Sequence, residues 1–509
     1  MTVSQEDEIV VSSMLPPHEP RLRGSALARW YGALGRRGQV VVEVLLGSLA
    51  PLLVAFCISL VLARTAPQAL EVLFWVVFFS LTGTSLLILM ECARAYRFPE
   101  PPVRTPVPAE DLPRVATVIA AYLPNEQETL LESVRAHLAL DYPQDRHLVV
   151  VTYNTPERLP LEDDLARLAE VEPRLVVLHV AGSTSKVQNI EGALELVAGV
   201  VDVVGIFDAD HHPHPTAARR AAQWLGDGAG EKRFDVVQGQ CVVRNDSDTF
   251  VTRTVAAEFA ALYAVAHPGR TVVHDFGIFG GSNGWWRADV LVGLGLDQRM
   301  LTEDIDISMR ALAQGCRLGT DPRILSSELA PATWGGLWRQ RMRWSQGWLE
   351  VSARHLRSLL PHRGLSAAQR RGVVFLLGWR VLHPFVALWL VPIVVATAVA
   401  VDRSVTWTLP FFLISALFVN GVPVVQAVAA NRLAPPGIGR RPRLFARFAL
   451  VSLLGFAELR MVITRGAVVR HLLGNRAWDV TSREAASGPP ASDAPTTQAR
   501  AGDRLVGAR

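Results

Sequence analysis

An α/β domain set between α-helical membrane segments is the fold class the sequence predicts, and three observations predict it. Half of the 509 residues are hydrophobic, which leaves room for a full α/β domain and several membrane spans. Apolar runs of about the 20 residues a helix needs to cross a bilayer core occur as a pair toward each end of the chain. Between the pairs, short apolar runs alternate with polar helical patterns, which predicts a mostly parallel sheet with a ligand site at the carboxyl ends of its strands.

Residues 1–39 are polar, hold Pro16, Pro17 and Pro20, and carry Arg21, Arg23, Arg29, Arg36 and Arg37, so they read as a mobile basic arm without a cleavable signal peptide. Residues 40–92 read as a transmembrane hairpin. Val40 to Leu62 is broken only by Glu43, and Ala69 to Met90 only by Glu71. A buried helix of a soluble core is the alternative, but two such runs joined by a short linker favour the hairpin. Pro99, Pro101, Pro102, Pro106 and Pro108 then mark a linker.

The α/β domain is expected over residues 110–335, with strands at Val115 to Ala121, His147 to Val151, Leu175 to Val180 and Val203 to Phe207. Residues 336–380 read as interfacial helices, from the tryptophans Trp334, Trp338, Trp344 and Trp348. Residues 381–429 hold two more spans, Leu382 to Val401 and Trp407 to Ala429, around an Asp402 to Val405 turn. Residues 430–483 begin with a basic loop of Arg432, Arg440, Arg441, Arg443 and Arg447. There, Ala449 to Thr464 carries Glu458 and Arg460, so it is a short fifth span or an interfacial helix. Arg465, Arg470 and Arg476 favour a helix that does not cross. Residues 484–509, rich in Ala, Ser, Pro and Thr, read as a disordered tail.

Basic residues on both flanks of the first hairpin put those flanks, and the α/β domain, on the cytoplasmic side of a multi-pass plasma-membrane protein. A formal charge of +4 gives no case for nucleic-acid binding. Cys57, Cys92, Cys241 and Cys316 lack the paired spacing of a zinc site or disulfide framework and read as reduced and buried. Of 51 basic residues only Lys186 and Lys232 are lysines, so a retained lysine draws interest.

Three acidic or aromatic elements could carry chemistry. The apolar strand Val203 to Phe207 ends in Asp208-Ala209-Asp210. In an extended chain these two carboxylates face the same side about 7 Å apart, and a divalent cation bound by oxygen ligands and substrate phosphates would relieve their repulsion. The bland alternative is a polar strand end entering a turn, and His211 or His212 adds a ligand or merely caps it. Thr302-Glu303-Asp304 precedes a helical pattern. Thr302 as an N-cap with acids in the first turn would stabilise that helix by about 1 kcal/mol without further role, whereas the chemical reading makes Asp304 a general base. In Gln340-Arg341-Met342-Arg343-Trp344, helical spacing puts Gln340, Arg343 and Trp344 on one face. An indole there can stack on a sugar ring and a guanidinium can offset a diphosphate, or both can simply anchor an interfacial helix.

Other segments add candidates. Tyr122 to Glu126 ends the first strand, where a base could be gripped. Ser183 to Asn189 offers Lys186, Asn189 and hydroxyls near a helix start, suited to phosphate or ribose. Gly280 to Trp286 reads as a flexible segment with an aromatic pair, or as a glycine-rich loop packed under the sheet.

In this order the elements resemble the membrane-integrated family 2 glycosyltransferases, the group of bacterial cellulose, hyaluronan and curdlan synthases, from about Val115 to Trp344. The resemblance implies a GT-A (nucleotide-diphospho-sugar transferase) fold and an inverting hexosyltransferase with Mg²⁺ or Mn²⁺. It carries over Asp208 and Asp210 as the metal and diphosphate motif, Thr302, Glu303 and Asp304 as the motif whose Asp is the base, and Gln340, Arg343 and Trp344 as QxxRW. It further implies uracil contacts by Tyr122 and Glu126, donor contacts by Lys186 and Asn189, and an acceptor site along Gly281, Ser282 and Asn283. Where the family usually has a pair of acids after the second strand, this chain has Asn154, which can hydrogen-bond a uridine but brings no charge. Ala477 to Arg483 resembles a cytoplasmic stretch found after the last helix in related enzymes. The expected activity is transfer from a UDP-hexose to a growing polysaccharide. One alternative is a single addition to a lipid acceptor, and a more distant one is a non-catalytic nucleotide-binding membrane protein. Partners would be the nucleotide sugar, a glycan or lipid acceptor and membrane lipid, with a second subunit or a homo-oligomer left open.

Overall fold

Valine and isoleucine fill four runs of the central domain because β-branched side chains pack well on a pleated surface. These runs form β1 (Val115–Tyr122), β2 (His147–Asn154), β3 (Leu175–His179) and β4 (Val203–Asp208). The computed structural model describes residues 25–97, 100–103, 107–226, 233–400 and 405–474. β5 (His212–Pro213), β6 (Val236–Val243), β7 (Gly284–Arg287) and β8 (Leu318–Glu328) complete one sheet in the order β3-β2-β1-β4-β7-β6-β8-β5. β1 pairs in parallel with both β2 and β4, and β2 with β3.

The sheet is mostly parallel, as expected, with β6 also parallel to β8, and it is mixed because β7 runs antiparallel to β4 and β6, and β5 antiparallel to β8. β7 is also the segment read as flexible: Trp285 and Trp286 are fully buried in the sheet. Register sets Tyr122 opposite Asn154 and Ala120 opposite Asp208, so the carboxyl ends of three strands meet along one edge. This is the GT-A arrangement, with apolar helices before and after it.

Helix α1 (Arg36–Thr65) and α2 (Pro67–Ala95) precede the sheet. Within and after it lie α3 (Lys186–Val197), α4 (Phe250–Ala261), α5 (Glu303–Ala313), α6 (Trp334–Leu359), α7 (Ala367–Val399), α8 (Leu409–Leu433), α9 (Pro442–Val451) and α10 (Ala457–Leu472). Four of these, α1, α2, α7 and α8, are long and apolar enough to cross a membrane. Phe74, Val77, Phe78 and Leu81 of α2 pack with Ile393 and Ala396 of α7.

Several expectations change. Residues 26–33 are helical, and helix continues from Arg36, where a mobile arm was expected; the Tyr31 hydroxyl donates to the buried Glu43 at 2.5 Å, which ties this segment down. Cys57 is exposed on α1, a position an apolar bilayer tolerates. Arg465, whose charge favours a helix that does not cross, is buried in the protein, and α10 is not one of the four helices long and apolar enough to cross a membrane among the described residues. Arg465 donates to Ser48 of α1 at 2.9 Å and to the Pro384 carbonyl of α7 at 2.8 Å, and pairs with Glu458. The first part of the basic arm, the Asp402 to Val405 turn save its last residue, Ala477 to Arg483 and the tail from 484 lie outside the described residues.

Two ionic braces hold these layers together. Glu91 of α2, fully buried, accepts from Arg270 at 3.1 Å and lies 3.3 Å from His274, both on the helix His267–His274 of the central domain. Asp306 of α5 receives His355 of α6 at 2.7 Å and Arg310 at 2.8 Å, with Arg354 at 3.2 Å. Burial would push the Asp306 carboxyl up, but the His355 hydrogen bond and the Arg310 charge outweigh it and hold it below its ordinary value. Asp306→Ala strips the acceptor from two arginines and a histidine that are buried or half-buried. It is expected to cost about 3–5 kcal/mol, read as a lowered unfolding midpoint of the detergent-solubilised chain.

Candidate active site

β1, β2 and β4 deliver their ends to one spot, and α3 aims Lys186 across it from its first turn. Ser185 starts α3 by accepting the Gln188 backbone N–H at 3.3 Å, which sets the lysine's direction. Lys186 Nζ lies 2.6 Å from Asp208 Oδ1, donates to the Gly281 carbonyl at 2.6 Å and stands 3.8 Å from Glu303. Burial alone would lower the ammonium's pKa, but Asp208 and then Glu303 outweigh that and hold it above the usual lysine value. One cation therefore joins the strand-end carboxylate, the glycine loop and the acidic helix start.

Asp304 sits beside this group with its carboxyl pushed up to about 7, first by burial and then by the charge of Glu303, while Lys186 and Arg343 pull the other way. A carboxyl so poised exchanges a proton near neutrality. Gly281 has φ +85°, and a Cβ there would come within 3.0 Å of Asp304 Oδ2, so both backbone shape and space require glycine.

Ser282 Oγ accepts the Asp208 N–H at 3.1 Å. Asn283 is fully buried and donates to the carbonyls of Gln240 at 3.0 Å and Ile324 at 2.9 Å, so its side chain braces the loop from below. The loop is further fixed by two residues that sequence reasoning passed over. Gln238 donates to the Ser282 carbonyl at 3.0 Å and accepts the Gly280 N–H at 2.8 Å; Ser308 accepts the Phe279 N–H at 3.0 Å. Gln238 is a polar residue inside the apolar run Val236–Val243, which was the available signal.

Asp210 is buried, accepts the Leu329 N–H at 3.0 Å and receives Arg244 at its carbonyl. Ligand atoms of Asp208, Asp210 and His211 lie within 4.8 Å of one another, and two hard oxygens with an imidazole suit a divalent ion. His211 already engages both ring nitrogens, with Ser326 and Glu328 each at 3.0 Å, so the two carboxylates are the readier donors.

The remaining strand-end residues form a corner built mainly of side-chain amides. Asn189 donates to Asn154 Oδ1 at 2.8 Å and to the Ala121 carbonyl at 3.0 Å, and Asn154 donates to the Ser183 carbonyl at 3.0 Å. Tyr122 is 42% exposed at the mouth, while Glu126 is buried against Asn125 and Thr129, accepting at 3.3 and 3.4 Å.

On α6 the predicted triplet divides. Arg343 acts electrostatically on Asp304, and the buried Gln340 Oε1 has no hydrogen-bond partner among the described residues. Trp344 is half-buried, with the Arg341 guanidinium over its ring at 4.1 Å and Phe259 6.3 Å away. Arg341, the residue between, is buried and pairs with Glu258 of α4 at 2.7 Å. Glu258 had a signal in the sequence, a lone acid in the apolar helix Phe250–Ala261.

Thr302 precedes α5 without its side chain capping the helix; Oγ1 is buried and unpartnered among the described residues. It is pressed against Gly347 of α6, where a Cβ would fall 2.3 Å from Thr302 Cγ2. Gly347→Ala is expected to cost about 1–3 kcal/mol through overpacking, of which alanine's better helix propensity returns at most about 1 kcal/mol. The net loss would be read as a lowered unfolding midpoint.

The chain is similar to several known proteins. Residues 203–420 match the model of the Glycosyl transferase family group 2. The chain is 28% identical over 276 residues to a beta-monoglucosyldiacylglycerol synthase of Synechocystis, covering 54% of this chain and 56% of that protein. It is 23% identical over 248 residues to a poly-beta-1,6-N-acetyl-D-glucosamine synthase of Staphylococcus aureus, 48% of this chain and 57% of that one. The chain thus spans little more than half the length of these curated relatives. Among solved structures, mannosyltransferase PcManGT from Pyrobaculum calidifontis, in complex with GDP-Man and Mn²⁺, aligns with a TM-score of 0.47 at 19% identity, over 79% of this chain and 99% of that chain. Residues 203–420 thus carry a likeness to the glycosyl transferases of family group 2.

Proposed function

We propose that the chain is a membrane-embedded inverting glycosyltransferase that moves a hexose from a UDP-sugar onto a growing polysaccharide at the cytoplasmic face of the plasma membrane. The observation that carries this reading is the convergence of Asp208, Lys186, Gly281, Glu303 and Asp304 at the strand ends, with Asp304 poised near neutrality.

Asp304 accepts the proton of an acceptor hydroxyl as that oxygen attacks the anomeric carbon. The bond from that carbon to the diphosphate breaks, and its electron pair leaves with the diphosphate. Lys186 and Arg343 offset the departing charge. Asp208 and Asp210, with His211 beside them, would hold a Mg²⁺ or Mn²⁺ ion, which supplies further charge to the diphosphate. Tyr122, Glu126, Asn154 and Asn189 form the corner for the nucleoside, and the backbone of Gly281 and Ser282 lines the acceptor side. Positive flanks of α1 and α2 favour the cytoplasmic orientation.

A second reading, a single addition to a lipid acceptor, is favoured by the likeness to the glucosyldiacylglycerol synthase and by the arginine lying over Trp344, which takes one ring face from a sugar chain.

Asp304→Asn is expected to lower turnover about 10²–10⁴-fold while the variant still binds UDP in calorimetry; full activity would remove Asp304 as the base. Because the base works only when charged, kcat/KM should be level above about pH 7 and fall as pH drops through that value. The limb should vanish from the residual rate of the variant. Membranes fed labelled UDP-sugars, with and without Mn²⁺, should yield high-mass, ethanol-insoluble product; only short organic-extractable glycolipid would select the second reading.

A further inference from the structure

Away from the strand ends, where α4 meets α9, a cavity of about 370 Å³ is lined by Arg253, Arg441, Pro442, Arg443, Leu444 and Arg447. α4 and α9 pack through Val251, Leu444, Phe445 and Phe448, so the cavity wall is a formed part of the fold. Arg441 pairs with Asp246. Arg253 is held by the Ser247 carbonyl at 3.0 Å, and among the described residues Arg253, Arg443 and Arg447 make no ion pair with an acid. Three guanidiniums lining one cavity without an ion pair among the described residues suit a phosphate, whose oxygens match their planar donors.

The surroundings identify which phosphate. Phe250, one turn before Arg253 on α4, is 52% exposed, and its ring lies 6.2 Å from that of Trp334, itself 46% exposed. Past Arg447, the outward side of α9 and the turn after it presents Leu450, Leu453 and Leu454, the last 78% exposed. A basic cavity with aromatic and leucine residues bared around it is the composition of a surface that lies in a lipid headgroup layer. The chain path agrees: α8 ends at Leu433, and Arg440 N–H bonds back to the Asn431 carbonyl at 2.7 Å, so α9 begins beside the end of a helix long enough to span.

We propose that this cavity binds the phosphate headgroup of an anionic phospholipid and seats α9 in the membrane surface. The proposal rests on the reading of α8 as a span, but not on the sugar-transfer chemistry.

The test uses the full chain extracted in mild detergent and exchanged into mixed phosphatidylglycerol and phosphatidylcholine, with retained lipid counted by native mass spectrometry. The wild type should retain phosphatidylglycerol preferentially. Arg443→Gln with Arg447→Gln should lower that preference roughly 30-fold with an unchanged unfolding midpoint, since both side chains are exposed. Equal retention of the two lipids by the wild type, or an undiminished preference in the double variant, overturns the site. Displacement of the lipid by millimolar inorganic phosphate would make it a free-anion site and overturn the lipid assignment. Alkaline washing of native membranes separates the premises: release of the chain sinks the spanning reading, whereas a retained chain without lipid preference sinks the headgroup site alone.

Discussion

One ammonium group holds three separate pieces of chain together. Lys186 reaches from α3 to the carboxylate at the end of β4, to the carbonyl of the glycine loop and toward the acid that opens α5. Without a cation there, the carboxylates of Asp208, Glu303 and Asp304 would crowd a half-buried space and repel one another. The lysine lets the strand end and the helix start approach while relieving Asp304 only in part, so burial and the Glu303 charge still hold that carboxyl near neutrality.

Around that contact the support is mechanical. α6 lies against the start of α5 through Gly347 and Thr302, and is locked to it by the buried Asp306 group. Its other side is tied to α4 by Arg341 and Glu258. The segment first read as a set of chemical side chains is thus also a beam, and Arg343 reaches Asp304 electrostatically because that beam is fixed.

Much of this was legible in the sequence for reasons of pattern. Valine-rich runs placed β1 to β4 within a few residues, and apolar length placed α1, α2, α7 and α8. Asp208 and Lys186 were visible from a strand-end carboxylate and a scarce lysine. What escaped was set by pairing across the chain. The antiparallel β7 looked like a loop because Gly280 to Gly284 precedes its two tryptophans. Arg341 was hidden between the more familiar positions of its motif, and its partner Glu258 stands 83 residues earlier. Thr302 had the right identity for a cap, yet contact with Gly347 turned its hydroxyl into the interior. Local propensity cannot register such contacts, because they exist only after the layers have met.

The buried Glu91 has a further meaning for how the molecule works. A carboxylate near the end of α2 meets Arg270 and His274, and the Gly269 backbone is so near that a Cβ there would meet the Glu91 carbonyl at 2.1 Å, so α2 is joined closely to the helix His267–His274 of the central domain. Close backbone packing of this kind couples the placing of the central domain to the placing of α2, so an acceptor's path to the strand ends is measured from that helix.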